Sequence, residues 1–163
     1  MHDVSPIIRR AIQDDIPNLI QLYIEFHEFH VAGVPDRLRI PEAYDEAHLH
    51  NALQTILSSE DSVILVAEVN GKLLGLAEVY MREDKAEPLR VAYRYGFLQS
   101  LLVSAQYRKS SLGKELVLAA QQWAKEHGAT EMQLDIWEFG EGPLHFYERL
   151  GYRTLKRHMV ADL

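Results

Sequence analysis

The run Arg108-Lys109-Ser110-Ser111-Leu112-Gly113-Lys114 gathers cations and small residues on one short turn. A helix opening on such a turn aims unpaired backbone N–H groups, and the positive end of its dipole, at one point. That point binds anions, and Ser110, Ser111 and Gly113 have little bulk to keep a diphosphate from the backbone. The same letters do not make a nucleotide-hydrolysing P-loop, which needs a leading glycine and a Ser or Thr after the lysine. A second candidate is Glu78, in Gly75-Leu76-Ala77-Glu78-Val79-Tyr80, where strand alternation puts it on one face with Leu74, Leu76 and Tyr80. A carboxylate among apolar neighbours is desolvated, which is how a general base is tuned to take a proton through a water.

These groups need elements to carry them. Tyr93 to Val103 reads as a strand ahead of the cradle. The helix after it sets Leu112, Leu116, Ala119, Ala120, Trp123 and His127 along one face. Ile7 to Arg10 predicts a short first strand. Asp14 or Asp15 caps a helix that runs to about His30 and is broken by Gly33-Val34-Pro35. A second helix is expected from Tyr44 to Leu57. Val63–Val69 and Lys72–Tyr80 then form a hairpin, because Asn70-Gly71 supplies the positive φ values of a two-residue turn.

Arg108-Lys109-Ser110-Ser111-Leu112-Gly113 at the opening of a helix resembles the pyrophosphate-binding signature of the GNAT acetyltransferase superfamily, Gln/Arg-x-x-Gly-x-Gly/Ala. Downstream, Leu134-Asp135-Ile136 followed by Phe146-Tyr147-Glu148-Arg149-Leu150-Gly151-Tyr152 resembles the family's strand, short helix and entry into the last strands. Three positions depart from the pattern. Ser111 stands at the first glycine and lacks glycine's freedom at positive φ, which implies a tighter cradle or weaker CoA binding. Gly140 stands at the usual Asn, removing a side-chain hydrogen bond to the pantetheine arm. Pro143 replaces an Ala and suits the first turn of a helix.

The resemblance implies an α/β (α+β) fold, with a mixed, mostly antiparallel sheet, helices on both faces and a splay between the fourth and fifth strands. The element order would be β, α, α, β, β, β, α, β, α, β. It implies acetyl-CoA as acyl donor, with its arm laid along Leu101-Leu102-Val103 and its diphosphate on Arg108 to Lys114. It also implies direct attack by a primary amine in a ternary complex. Tyr147 matches the tyrosine beside the thioester sulfur, a general acid, and the N–H of Val103 would hold the oxyanion. Glu78 is the first choice of base, Asp135 on the fifth strand the second, and Gln99, sharing a face with Phe97 and Leu101, would orient a water. The first two helices, their connection and the turn between the last strands would wall the acceptor pocket. His27, Glu28, His30, Asp36 and Tyr44 are its polar candidates. His27 and His30 at i, i+3 without a third ligand make a poor metal site, so none is expected. The alternative reading is a noncatalytic acyl-CoA-binding or regulatory module.

Composition sets limits. A chain of 163 residues, 47% hydrophobic, suits one domain spanning 1–163. With no cysteine, an acyl-cysteine intermediate and a thiolate metal site are excluded. Met1 to Pro6 shows no basic-plus-apolar leader and no apolar run is long enough to span a bilayer, so a soluble, cytoplasmic protein is expected. A net charge of −7 argues against nucleic acid and favours cationic amines or basic peptides. The apolar residues of the final strands point to a homodimer.

Overall fold

Near-continuous apolar runs on neighbouring strands leave a sheet with two faces to bury, and helices cover both. The structure, a computed structural model, describes residues 5–140 and 142–163; Met1 to Val4, where most of the leader reading falls, and Glu141 lie outside them. Strands β1 (Ile7–Arg10), β2 (Ser62–Val69), β3 (Lys72–Asp84), β4 (Tyr93–Val103) and β5 (Glu131–Gln133) form one sheet in that order. The first four are antiparallel neighbours, and β5 lies parallel to β4. Helices α1 (Ile16–Gly33) and α2 (Glu46–Ser58) precede β2. Helix α3 (Leu112–Glu126) links β4 to β5, and α4 (Leu144–Arg149) follows β5.

The two sheet faces are separate cores. Val63, Leu65, Ala77 and Val79 pack with Leu116, Val117 and Trp123 of α3, while Ile64, Val66 and Leu76 pack with Ile16, Leu19 and Leu53 of α1 and α2. Each fully buried Leu or Ile contributes about 1.5–3 kcal/mol. Arg9 pins the start of α1: its guanidinium donates to both Asp15 oxygens at 2.7 and 2.9 Å and to Glu68 at 2.6 Å. This pairing, more than anything else, holds the Asp15 carboxyl below the usual carboxylate range. Asp15 stands at the expected cap position, but its side chain accepts from the Ile12 N–H rather than from the helix.

The hairpin turns as expected, with Asn70 at φ 50 and Gly71 at φ 78. Two bulges then break simple alternation. The first shifts the β2–β3 register after Ala67, so that Leu73 joins the α1/α2 core and Leu74 the α3 core. Leu74 therefore does not share the face of Leu76 and Glu78. The second lies in β4, where Glu78 pairs with Ser100 but Val79 with Leu98, leaving Gln99 as the extra residue. Phe97 faces the Tyr80 side and Leu101 the Ala77 side. Gln99 thus cannot share one face with both.

Two expected strands differ. The fifth is paired only over Glu131–Gln133, and Leu134–Ile136 has left the ladder because it diverges from β4. No strand follows α4 among the described residues. Residues 153–163 carry Leu155, Met159, Val160 and Leu163 exposed, and a strand with no hydrogen-bonded neighbour is not a stable element. No helix among the described residues is long and apolar enough to cross a membrane.

Candidate active site

Where β5 stops, β4 continues. From Leu98 to Val103 its outer edge faces a gap, and Leu134 to Trp137 form the opposite bank of a cleft of about 2070 Å³. In an antiparallel pair alternate residues turn their N–H and C=O toward the partner strand. Ser104 N–H donates to Leu74 C=O, and the Leu102 carbonyl lies over Gly75, so the backbone groups of Leu101 and Val103 point into the gap. A Cβ at Gly75 would come within 2.5 Å of that carbonyl, which is why a glycine is needed there. Of the predicted trio, Leu101 and Val103 offer the edge, and Leu102 holds it to β3. Such an edge accepts an extended ligand by main-chain hydrogen bonds.

The edge runs into the cradle. Ser104 leads through a 3₁₀ turn (Ala105–Tyr107) to Arg108, and Lys109, at φ 69, makes the reversal that leads into α3. Ser111, at φ −70, sits in ordinary right-handed space, so serine for glycine costs the backbone nothing there. The unusual conformation has moved to Lys109. Ser110 Oγ accepts from the Leu112 N–H at 3.3 Å and donates to Tyr107 C=O at 2.6 Å, and the Ser111 hydroxyl donates to Glu115. A Cβ at Gly113 would lie 3.4 Å from the Phe146 ring, in ordinary contact, so α4 packs closely over the start of α3. Arg108 turns back toward α1: it donates to Val103 C=O at 3.2 Å and to Glu25 at 3.4 Å, with its guanidinium 4.8 Å from the Phe29 ring centre.

Tyr147 lines the cleft from α4 at 8% exposure, and among the described residues its hydroxyl has no hydrogen-bond partner. Burial, with Tyr152 beside it, raises its pKa well above the ordinary phenol value. It therefore keeps its proton through the neutral range. Gly140, at φ 55, occupies left-handed space that Asn and Gly both tolerate, which accounts for this exchange at the family's Asn position. Pro143 stands at the cap of α4.

Glu78 is 5% exposed and is held by three hydroxyls: Tyr23 at 2.7 Å, Tyr80 at 2.6 Å and Ser100 at 3.1 Å. The cleft wall in front of it is made by Tyr23 and Ser100. Burial, followed by the charge of Glu78, pushes the Tyr23 phenol up, so that hydroxyl stays a donor. Sequence reading passed over Ser100, whose signal was a lone hydroxyl in an apolar strand. Tyr23 falls inside the first expected helix, where nothing in the sequence singles it out.

The other candidates divide. His27, His30, Tyr44, Gln99 and Asp135 all line the cleft. His27 and Tyr44 meet edge to face at 6.3 Å, and His27 Nε2 bonds Arg39 C=O at 2.8 Å. His30 bonds Phe26 C=O and joins Phe26, Phe29 and Phe139 in an aromatic bridge from α1 to the loop after β5. Both imidazoles are thus engaged with backbone carbonyls. Among the described residues no three His, Cys, Asp or Glu side chains cluster as metal ligands. Glu28 accepts from Tyr44 at 3.4 Å, and Asp36 is exposed beside Arg37.

The chain is similar to known proteins over most of its length. The sequence model of the family described as "Acetyltransferase (GNAT) family" matches residues 18–152. The "Uncharacterized N-acetyltransferase YhfO" of Bacillus subtilis (strain 168) is 28% identical over 145 residues, 89% of this chain and 88% of its own length. A crystal structure of the tetramutant of the BH1408 protein from Bacillus halodurans superposes with a TM-score of 0.86 at 24% identity, covering 96% of this chain and 99% of that one. A structure of AAC(6')-Iy in complex with the bisubstrate analog CoA-S-monomethyl-acetylneamine superposes at 0.75 with 20% identity, over 98% and 99%.

Proposed function

The chain belongs to the GNAT acetyltransferase family, and from that premise we propose that it moves an acetyl group from acetyl-CoA to a primary amine by direct attack. The observation that carries the reading is the unpaired edge of β4 running straight into the Arg108–Lys114 cradle with Tyr147 along the same cleft. An extended arm ending in a diphosphate fits such a track, and CoA in the complex with AAC(6')-Iy supports that choice of donor.

In the proposed reaction the diphosphate rests on the N–H groups at the start of α3, with Lys109 and Lys114 beside them. The pantetheine arm pairs with Leu101 and Val103, as an added strand would. The amine nitrogen bonds to the acetyl carbon, and the C–S bond breaks. The N–H of Val103 stabilises the oxyanion between these events. One proton leaves the nitrogen and one is gained by sulfur. Tyr147, which burial keeps protonated, supplies the latter, while a water against Ser100 passes the former to Glu78. Glu78 acts from behind the wall rather than in the cleft itself. Gln99, placed at the bulge, orients that water, and His27, His30 and Tyr44 border the acceptor.

Calorimetric titration with acetyl-CoA, then thiol release against a panel of amines, tests the reading. Submillimolar binding with amine-dependent release is expected. Binding without release from any amine would favour a regulatory acyl-CoA module, and no binding would remove the cradle assignment. A homodimer through the exposed tail around Leu155, Met159 and Val160 belongs to the same proposal. Sedimentation of a monomer at high concentration would dismiss it.

A further inference from the structure

The charge of the cleft is opposite to that of the chain. Net charge is −7, yet the described lining residues include Arg82, Arg108, Lys109, Lys114 and Arg149 against the single carboxylate of Asp135. Arg108, Lys109 and Lys114 stand at the cradle, where a CoA diphosphate would use their field. Arg82 does not. It projects from β3 on the face of Tyr80, and its guanidinium lies 3.8 Å from the centre of the Phe97 ring. Phe97 and Val103 are six residues apart on β4, about 20 Å of extended strand. The phosphates of CoA all belong to its nucleotide end, so a CoA whose diphosphate lies on the cradle brings no phosphate to Arg82.

Among the described residues Arg82 has no carboxylate within ion-pair distance, although the chain carries 24 acidic side chains. The forked guanidinium rests against the ring, and Arg82 is exposed along the cleft. Such a fork binds a carboxylate or a phosphate through two parallel hydrogen bonds. Asp135 lines the same cleft from the opposite bank. Met132, Leu134 and Ile136 pack toward the α3 core, so the alternation sends Asp135 to the Phe97 side. One end of the cleft therefore offers a carboxylate for an ammonium and a guanidinium for an anion.

We propose that the acceptor is an amine carrying an anionic group, carboxylate or phosphate, and that Arg82 is the residue that recognises it. This rests on the acetyltransferase reading above, and it reverses the preference for polycationic acceptors that net charge alone suggests. The overall charge sits on surfaces away from the cleft and says little about what the cleft binds.

The test uses matched pairs of acceptors that differ in the anion: tyrosine against tyramine, and O-phosphoethanolamine against ethanolamine. Each is titrated calorimetrically into the CoA-saturated protein and assayed by thiol release from acetyl-CoA. The anionic member of at least one pair is expected to bind about tenfold tighter, and which pair responds tells carboxylate from phosphate. Arg82→Gln should abolish that preference by raising KM for the anionic member alone, with Arg82→Lys restoring part of it. Equal or reversed preference in both pairs, or a preference unchanged in Arg82→Gln, overturns the proposal, and turnover of the partners that lack the anion in that case leaves the acetyltransferase reading standing. Failure of the protein to bind CoA would instead fall on that earlier reading, and the same titrations without CoA would still decide the role of Arg82.

Discussion

The two ends of the cleft are built from different materials. At the cradle end the functional groups are mostly backbone: the edge of β4, the turn at Lys109 and the first N–H groups of α3. At the other end they are side chains brought from distant elements, with Tyr23 from α1, Glu78 and Arg82 from β3, Ser100 from β4 and Asp135 from beyond β5. A backbone site is fixed once its strand and helix form, and tolerates exchanges such as Ser111 for glycine. A side-chain site can be rebuilt one residue at a time without disturbing the fold. Side chains of this kind can change what a site binds while the scaffold stays the same.

The sharpest way to break this division is at Tyr147, the side chain that stands between the two ends. Tyr147→Phe should lower kcat at least tenfold, about 1.4 kcal/mol or more, and leave CoA affinity unchanged, since the lost proton donor acts only in the transition state. Because burial raises the phenol pKa, the wild-type hydroxyl stays protonated through mildly alkaline pH. Any alkaline limb below pH ~10 should therefore persist in the variant at the same position. An unchanged kcat would take the acid role from Tyr147.

Second in size is the cradle itself. Replacing both Arg108 and Lys109 with Ala should weaken CoA binding roughly tenfold, with little change in kcat once CoA is saturating. Arg108 also ties Val103 to Glu25 of α1, so this change loosens the roof of the cleft as well as removing charge. Unaltered CoA affinity, measured by calorimetry, would show that the anion rests on backbone alone. Third is Glu78→Gln, which keeps size and most hydrogen bonding but cannot accept the proton. It should lower kcat several-fold and flatten the acidic limb of the rate profile, while CoA affinity stays the same. A limb that survives would move the base to Asp135.

The same contrast governs how much could be read from the letters. Asn70-Gly71, the strand from Tyr93 to Val103 and the face of α3 are local chemistry, and the structure repeats them. The bulge at Gln99 is not local. It is decided by how β4 registers on β3, so the face of Leu101 could not be had from alternation. A last strand after Tyr152 was implied by the family resemblance, but a strand needs a neighbour, and among the described residues β4 has none paired to its outer edge beyond Gln133. Glu78 was legible as a carboxylate in an apolar strand. Its donor Tyr80 is two residues away, but the other two donors lie 55 and 22 residues away, which no local pattern reports. Arg82 gave no signal at all, since a cation near a strand end reads as solvated.

The smallest expected effect separates backbone from charge within the cradle. Lys109 is the one cradle residue in left-handed space, a conformation that costs a non-glycine residue about 1 kcal/mol. Lys109→Ala removes the cation and keeps that cost, whereas Lys109→Gly removes both. If the cradle binds chiefly through its N–H groups, the glycine variant should be the more stable of the two by up to about 1 kcal/mol, less whatever glycine loses to the unfolded chain. Its CoA affinity should then stay within about threefold of wild type. If the ammonium matters more, both variants should lose affinity equally, whatever their stability. Thermal unfolding of the CoA-free proteins, set beside CoA titrations of the same samples, reads the two quantities independently. A glycine variant no more stable than the alanine one would mean that the strain at Lys109 is no larger than the backbone entropy that glycine adds to the unfolded chain.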